Sequence, residues 1–219
     1  MSAHHPWKIV YKMLILLSGV LLPYACTEKE ESYPNLITEF ADLQTDYYGV
    51  FLNMTTDDGS CYLITNTNIQ PHHPNTVYRA IVGYVPTTKS THLEALIYTL
   101  TGARILADST TTPQHDPIGI ESMWQEGKYI NMQLTAKTQG GHHYWGYVTD
   151  SIKHIGKEGR KNAHFHLSLH HNQRKDPLSY SQTYYSSILT SAIPQYQETD
   201  TITVAVHTFN GIKKWMFYK

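Results

Sequence analysis

From residue 47 to the carboxy terminus, apolar and polar positions alternate in short runs divided by Gly, Asp, Asn and Pro, a period of two that predicts strands. YYGVFLNMT (47–55) reaches the turn Asp57-Asp58-Gly59 and returns as CYLITN (61–66), an Asp-Gly hairpin. QPHHPN (70–75) reads as a loop. VYRAIVGYVPT (77–87) and EALIYTLTGARILA (94–107) read as strands, the second with a bulge or bend at Gly102. DSTTTPQHDP (108–117) is polar, holds two prolines and reads as a linker between domains. Beyond it, IESMWQEGKYINMQLTAK (120–137), HHYWGYVTDSI (142–152), NAHFHLSLHH (162–171), DTITVAVHTF (200–209) and KKWMFYK (213–219) predict an antiparallel meander, one sheet or a sandwich. The insertion at 172–199 reads as a strand with a short turn, and no long helix is predicted.

The amino terminus follows a different pattern. Lys8 and Lys12 precede an apolar run of ten, MLILLSGVLL (13–22), and Ala25 stands before Cys26. This is the layout of a signal peptide over residues 1–25. The run is shorter than the roughly 20 apolar residues a membrane span needs, and it lacks the polar positions at helical spacing of a core helix. Leu21-Leu22-Pro23-Tyr24-Ala25-Cys26 resembles a bacterial lipobox, in which the signal is cut before a cysteine whose thiol then carries diacylglycerol. Pro23 and Tyr24 depart from the strict pattern and leave ordinary signal cleavage as the alternative. Two or three acyl chains, at about 0.8 kcal/mol per buried CH₂, give a stable anchor. Residues 26–34 form a tether rich in acid, with Glu28, Glu30 and Glu31. It reads either as an address to the outer face of the outer membrane or as a solvated spacer.

Composition narrows the function classes. Lys plus Arg count 17 against 18 Asp plus Glu, a net charge of −1, which offers no field to attract nucleic acid. Charged residues make up only 16%, while 17 Tyr and many Thr suit a half-wetted sheet. Of the two cysteines, Cys61 has no intramolecular partner if Cys26 is acylated.

The 14 histidines direct attention to His164-Phe165-His166-Leu167-Ser168-Leu169-His170-His171. On a strand, Phe165, Leu167 and Leu169 enter the core while His164, His166, Ser168 and His170 share the opposite, wet face. His164, His166 and His170 are candidate ligands for Zn or Cu, with His142 or His143 as helpers, set against an ordinary solvated face. No G-x-S-x-G elbow and no G-x-x-x-x-G-K loop occurs, so neither a serine hydrolase nor a nucleotide site is expected, and no cofactor is implied. Asp57 and Asp58 are expected to serve their turn. Asp108-Ser109-Thr110, Asp150-Ser151-Ile152 and Asp200-Thr201-Ile202 look like Asp-Ser/Thr-apolar O-glycosylation sites, at Ser109, Ser151 and Thr201. Tyr144, Trp145, Tyr147, Trp124, Tyr129 and Trp215 read as a stacking surface for sugar or peptide, or as sandwich core.

The ordered set of segments resembles the NigD-like lipoproteins of Bacteroidota. The resemblance rests on the lipobox cysteine, TTDDGSCYLITN, YRAIVGYVPT, ARILADSTTTPQHDPIGI, WQEGKYINMQL, HFHLSLHHN and the ending DTITVAVHTFNGIKKWMFYK. It implies an all-β fold: a small OB-like barrel over 35–112, then an antiparallel β-sandwich over 113–219. It further implies a non-enzymatic cell-envelope protein, which the lipobox and tether place at the outer membrane, exposed at the surface or facing the periplasm. The expected partners are the membrane, through its lipid, and a protein or glycan, with a link to bacteriocin production. The alternatives are a metal-binding protein using strand 164–171 and a carbohydrate-binding surface protein.

Overall fold

The first strand starts earlier than the alternation does. In ITEFADLQT both Phe40 and Ala41 are buried, one on each face, so β1 (Ile37–Thr45) has no clean period of two to read. The structure, a computed structural model, describes residues 35–66, 72–89, 91–109, 112–156 and 162–218. The signal, the lipobox, Cys26 and the tether lie outside them.

After β1 come β2 (Phe51–Thr56), β3 (Cys61–Ile64), β4 (Val77–Thr88) and β5 (Leu93–Gly102). They close a barrel in the order β1-β2-β3-β5-β4, with β3 and β5 parallel and the other pairs antiparallel. Closure leaves no free edge. Leu43, Met54, Val82, Tyr84 and Ala95 fill the interior. The hairpin turn falls where Asp57-Asp58-Gly59 predicted it, with Gly59 at φ +91°. Asp58 serves the turn as expected, accepting from the Ser60 N–H at 2.8 Å and the Thr56 hydroxyl at 2.5 Å. Asp57 does something else, described below.

The second lobe is a sandwich of β6 (Arg104–Leu106), β7 (Gly119–Glu126), β8 (Tyr129–Thr138), β9 (Tyr144–Ile155), β10 (Asn162–Asn172), β11 (Tyr180–Leu189), β12 (Thr201–Thr208) and β13 (Gly211–Phe217). One sheet runs β13-β12-β10-β9 and the other β6-β11-β8-β7. Phe165, Leu167, Leu169 and Val204 meet Ile130, Met132, Leu134 and Ile188 between them, each worth about 1.5–3 kcal/mol of burial. The sandwich is not purely antiparallel. The insertion at 172–199 sends β11 into the opposite sheet, so the returning β12 lies parallel to β10, and β6 lies parallel to β11. A single 3-10 turn, Thr190–Ala192, closes that insertion, and no α-helix occurs among the described residues.

Two sequence readings change here. The run 94–107 is two strands, because Gly102 ends the barrel and β6 already pairs in the sandwich, ahead of the expected 112/113 boundary. The segment 108–117 is no free linker either. Asp108 bridges to Tyr147 and His115 to His171, so its two ends lie on opposite flanks of the β9–β10 pair.

A buried polar knot joins the lobes. Arg79 of β4, almost fully buried, forks onto Asp57 (2.7 and 2.6 Å), reaches Asp42 (3.2 Å) and crosses to Asn131 (2.9 Å) and Ser187 (3.2 Å) in the sandwich. Asn131 returns a bond to Asp57 at 2.6 Å, and the Tyr129 hydroxyl donates to Asp42 at 3.1 Å. The guanidinium lies over the Tyr129 ring, 3.8 Å from its centroid, and 5.0 Å from that of Phe40. Every oxygen facing the cation is thereby satisfied across two lobes, which a lone charge at this depth would require. Gly127, at φ +53° in the β7–β8 turn, makes the approach feasible, since a Cβ there would sit 2.2 Å from the Asp57 carbonyl oxygen.

Candidate functional site

Two surfaces have the makings of a binding site. On the barrel, the outward positions of the neighbouring strands β2, β3 and β5 carry Leu52, Leu63 (42% exposed), Leu96 and Tyr98 (51%). The β1–β2 loop adds Tyr47 and Tyr48, 75% and 78% exposed, their rings edge to face at 5.5 Å. Asp46 holds this loop by accepting from the Tyr48 and Val50 N–H groups at 2.8 and 2.9 Å. Leucine and tyrosine on adjacent strands form an apolar surface of the kind that marks interaction sites. The free thiol of Cys61 is exposed beside it on β3.

On the sandwich, a cleft of about 340 Å³ opens at the end of the β9–β10 pair, lined by Thr112, Gln114, Tyr144, His170, Asn172 and Arg174. Tyr144 and Asn172 are directly opposed in register, while His170 faces Gly146, which contributes no side chain. His170 is 1% exposed and accepts the Gln114 N–H on Nδ1 at 3.2 Å, and burial pushes its pKa down. The neutral ring therefore carries its proton on Nε2. Arg174 belongs to the turn 173–176, closed by the Asp176 N–H donating to the Gln173 carbonyl at 2.9 Å. Arg174 and Lys175 both hold left-handed backbone there (φ +52° and +63°), a conformation usually left to Asn or Gly.

A chain of histidines under the cleft fixes that turn. The Asp116 carbonyl can only accept, so the His171 Nδ1 donates to it at 2.9 Å. Burial pushes the His171 pKa down to about 4, which leaves Nε2 as the acceptor for His143 Nδ1 at 2.9 Å. His143 Nε2 in turn lies 3.1 Å from the Asp176 carboxylate. Thr138 also hydrogen-bonds Asp176, as do the Gln139 and Gly141 N–H groups, and together these hold its pKa down to about 2. The Gln173 N–H reaches the Asp116 carboxylate at 2.8 Å, so both ends of the turn are tied. The series Asp176–His143–His171 looks like a catalytic relay, yet it ends on a backbone carbonyl where a nucleophile would be needed. Its chemistry is positional. Trp145 stacks on His171 at 4.3 Å, while its indole N–H is buried with no acceptor among the described residues.

The candidate metal trio does not assemble. His164 and His166 stack at 4.2 Å, and His164 Nε2 is 2.7 Å from the Thr203 hydroxyl. His170 stands four residues beyond His166 and six beyond His164, roughly 13 and 20 Å along the strand, too far to share their ion. His143 turns to the inner face. No three His, Cys, Asp or Glu side chains converge on one point among the described residues. The face is also drier than the alternation suggests, because Ser168 and His170 are buried, with Ser168 donating to Asp150 at 3.0 Å. Of the candidate glycosylation sites, Ser151 is exposed on β9, Thr201 is half-buried, and Ser109 is 8% exposed with its N–H bonded to the Tyr147 carbonyl. Of the six aromatics, Trp145, Tyr147 and Tyr129 are buried, and Tyr144 alone lines the cleft. Arg79, Asn131, Tyr47, Tyr48 and Arg174 carry no sequence motif, and the turn motif that holds Asp57 gave no sign of its pairing with Arg79. A lone arginine inside the apolar strand YRAIVGY was the one legible signal.

Comparison with known proteins gives the same architecture. Residues 103–218 match the NigD-like C-terminal beta sandwich domain. No curated protein matches in sequence. Among solved structures, a NigD-like immunity protein from Bacteroides caccae is 20% identical, with a TM-score of 0.63 over 85% of this chain and 98% of that one. A candidate toxin-related protein from Parabacteroides distasonis is 17% identical, with a TM-score of 0.64 over 84% and 93%. A candidate lipoprotein from Bacteroides fragilis is 13% identical, with a TM-score of 0.60 over 85% and 99%. No helix among the described residues is long and apolar enough to cross a membrane.

Proposed function

Because the chain belongs to the NigD-like family, we propose that it is a non-catalytic lipoprotein of the cell envelope that engages a partner protein through the β2–β3–β5 face of its barrel. The observation that carries the reading is the set of exposed apolar side chains on that face, Leu52, Leu63, Leu96 and Tyr98, beside the tyrosine pair of the β1–β2 loop. OB-type barrels bind through strands 2 and 3 and the loop between strands 1 and 2, which are the positions exposed here. Leucine side chains offer no hydrogen bonds to a sugar or a base, and a net charge of −1 favours neither nucleic acid nor an anionic surface, so a protein fits best. The names borne by similar structures, an immunity protein and a candidate toxin-related protein, support a partner connected with bacteriocin production.

Anchoring follows from the lipobox at Leu21–Cys26 and the acidic tether behind it, and a candidate lipoprotein among the similar structures supports it. Acylation at Cys26 holds the two lobes at the outer membrane, on its surface or its periplasmic side. The test is affinity purification after crosslinking of whole cells that express the wild type or Leu63→Glu. A partner recovered in near-equal amount with the wild type and lost from the variant is expected. The same set of proteins from both overturns the reading.

A further inference from the structure

We propose that the cleft at the end of the β9–β10 pair binds a saccharide unit that bears a carboxylate, a site separate from the barrel face and independent of it. At about 340 Å³ the cleft lies near the lower end of ligand pockets, roughly 300–1,000 Å³, which suits one sugar ring with the rest of a chain outside. Its lining divides into the parts such a ligand needs. Tyr144, 38% exposed, offers an aromatic face to the C–H groups of a pyranose. Thr112, the Gln114 side chain and the Asn172 amide offer donors and acceptors for hydroxyls. The Asn172 Oδ1 is taken by the Arg174 N–H at 2.8 Å, which aligns the amide and leaves its NH₂ group available. His170, 1% exposed, accepts the Gln114 N–H on Nδ1, which leaves its proton on Nε2 at the cleft wall.

Arg174 decides the charge. It is the only ionisable cation of the lining, no acid accompanies it there, and it forms no ion pair among the described residues. One planar guanidinium matches one carboxylate in a forked pair, whereas a phosphate dianion calls for more positive charge. The turn that presents it is preorganised. Asp116 ties its first residue and the Asp176–His143 bond its last, which holds Arg174 in a left-handed conformation that a loose loop would abandon.

Binding of D-glucuronate, its methyl ester and the dipeptide Ala-Ala to the purified full chain, followed by saturation-transfer NMR and calorimetry, tests the site. Glucuronate is expected to bind saturably, and its ester to bind at least about tenfold more weakly, as loss of a charge-assisted pair implies. Arg174→Ala and Tyr144→Ala are expected to weaken glucuronate by a similar factor, while Lys175→Ala, exposed outside the lining, leaves it unchanged. Both substituted side chains reach solvent, and an unchanged circular dichroism spectrum confirms that each variant is folded. Equal binding of acid and ester, no binding of glucuronate, or tighter binding of the dipeptide overturns the proposal.

Discussion

Arg79→Leu removes the cation that joins the lobes and leaves its partners in place. Asp57, with its side chain 3% exposed, would then face Asn131 without a counter-charge, while Asp42, 12% exposed, keeps only Lys128 at 3.0 Å. Removing one partner of a buried pair costs about 3–5 kcal/mol, since the orphaned charge stays desolvated. For a unit of this size each kcal/mol lowers Tm by about 2–4 °C, so a drop on the order of 10 °C is expected. Adding Asp57→Asn to Arg79→Leu removes the orphaned charge, so the second substitution costs far less than it does alone, with a coupling of about 1–3 kcal/mol. Trp124, Trp145 and Trp215 lie in the sandwich and the fourth, Trp7, in the segment read as a signal, so in the chain without residues 1–25 urea unfolding followed by tryptophan fluorescence reports the sandwich, while far-UV circular dichroism reports both lobes. The two transitions coincide in the wild type and separate in Arg79→Leu. A variant within about 1 kcal/mol of the wild type, with coincident transitions, would refute the reasoning.

His171 sits at about 4 in the fold against an ordinary 6.5, so it remains neutral while the open chain takes up a proton; stability is full above about pH 6.5 and declines as pH falls toward 4. The gap caps the loss at about 3 kcal/mol, and denaturant midpoints that do not change between pH 7 and 4.5 would contradict it. Gly127→Ala forces a Cβ against the Asp57 carbonyl at positive φ and should cost about 2–3 kcal/mol, whereas Gly102→Ala, with nothing within 4 Å of the new carbon, should be near neutral in the same thermal melts. A clickable fatty acid fed to cells is expected to label the wild type and not Cys26→Ala; equal labelling of both would sink the acyl anchor.

The fold was legible wherever one face of a strand met water. The Asp-Gly hairpin, the first half of the run 162–171 and the last strand show this, and the structure places them within a few residues. Reading failed where both faces are buried. β1 and the first half of β8 lie between two cores, so Phe40 and Ala41, or Ile130 and Asn131, are buried side by side and the period of two vanishes. The segment 108–117 looked like a linker because its composition is polar, yet its backbone pairs at both ends, which composition does not report. Among candidate site residues, His170 and Tyr144 do meet in one cleft, but their company there is Arg174 and Gln114, brought in from a turn and a strap. The metal reading failed on distance: residues on one face of a strand recede from each other by nearly 7 Å per pair.

The barrel-face reading is tested most directly by a photo-crosslinking amino acid placed at position 63 in living cells, with position 155, more exposed (58% against 42%) on β9 of the sandwich, as the control. A discrete crosslinked product from position 63 and none from 155 is the expected result. Products of the same size and amount from both positions, or from neither, would contradict it.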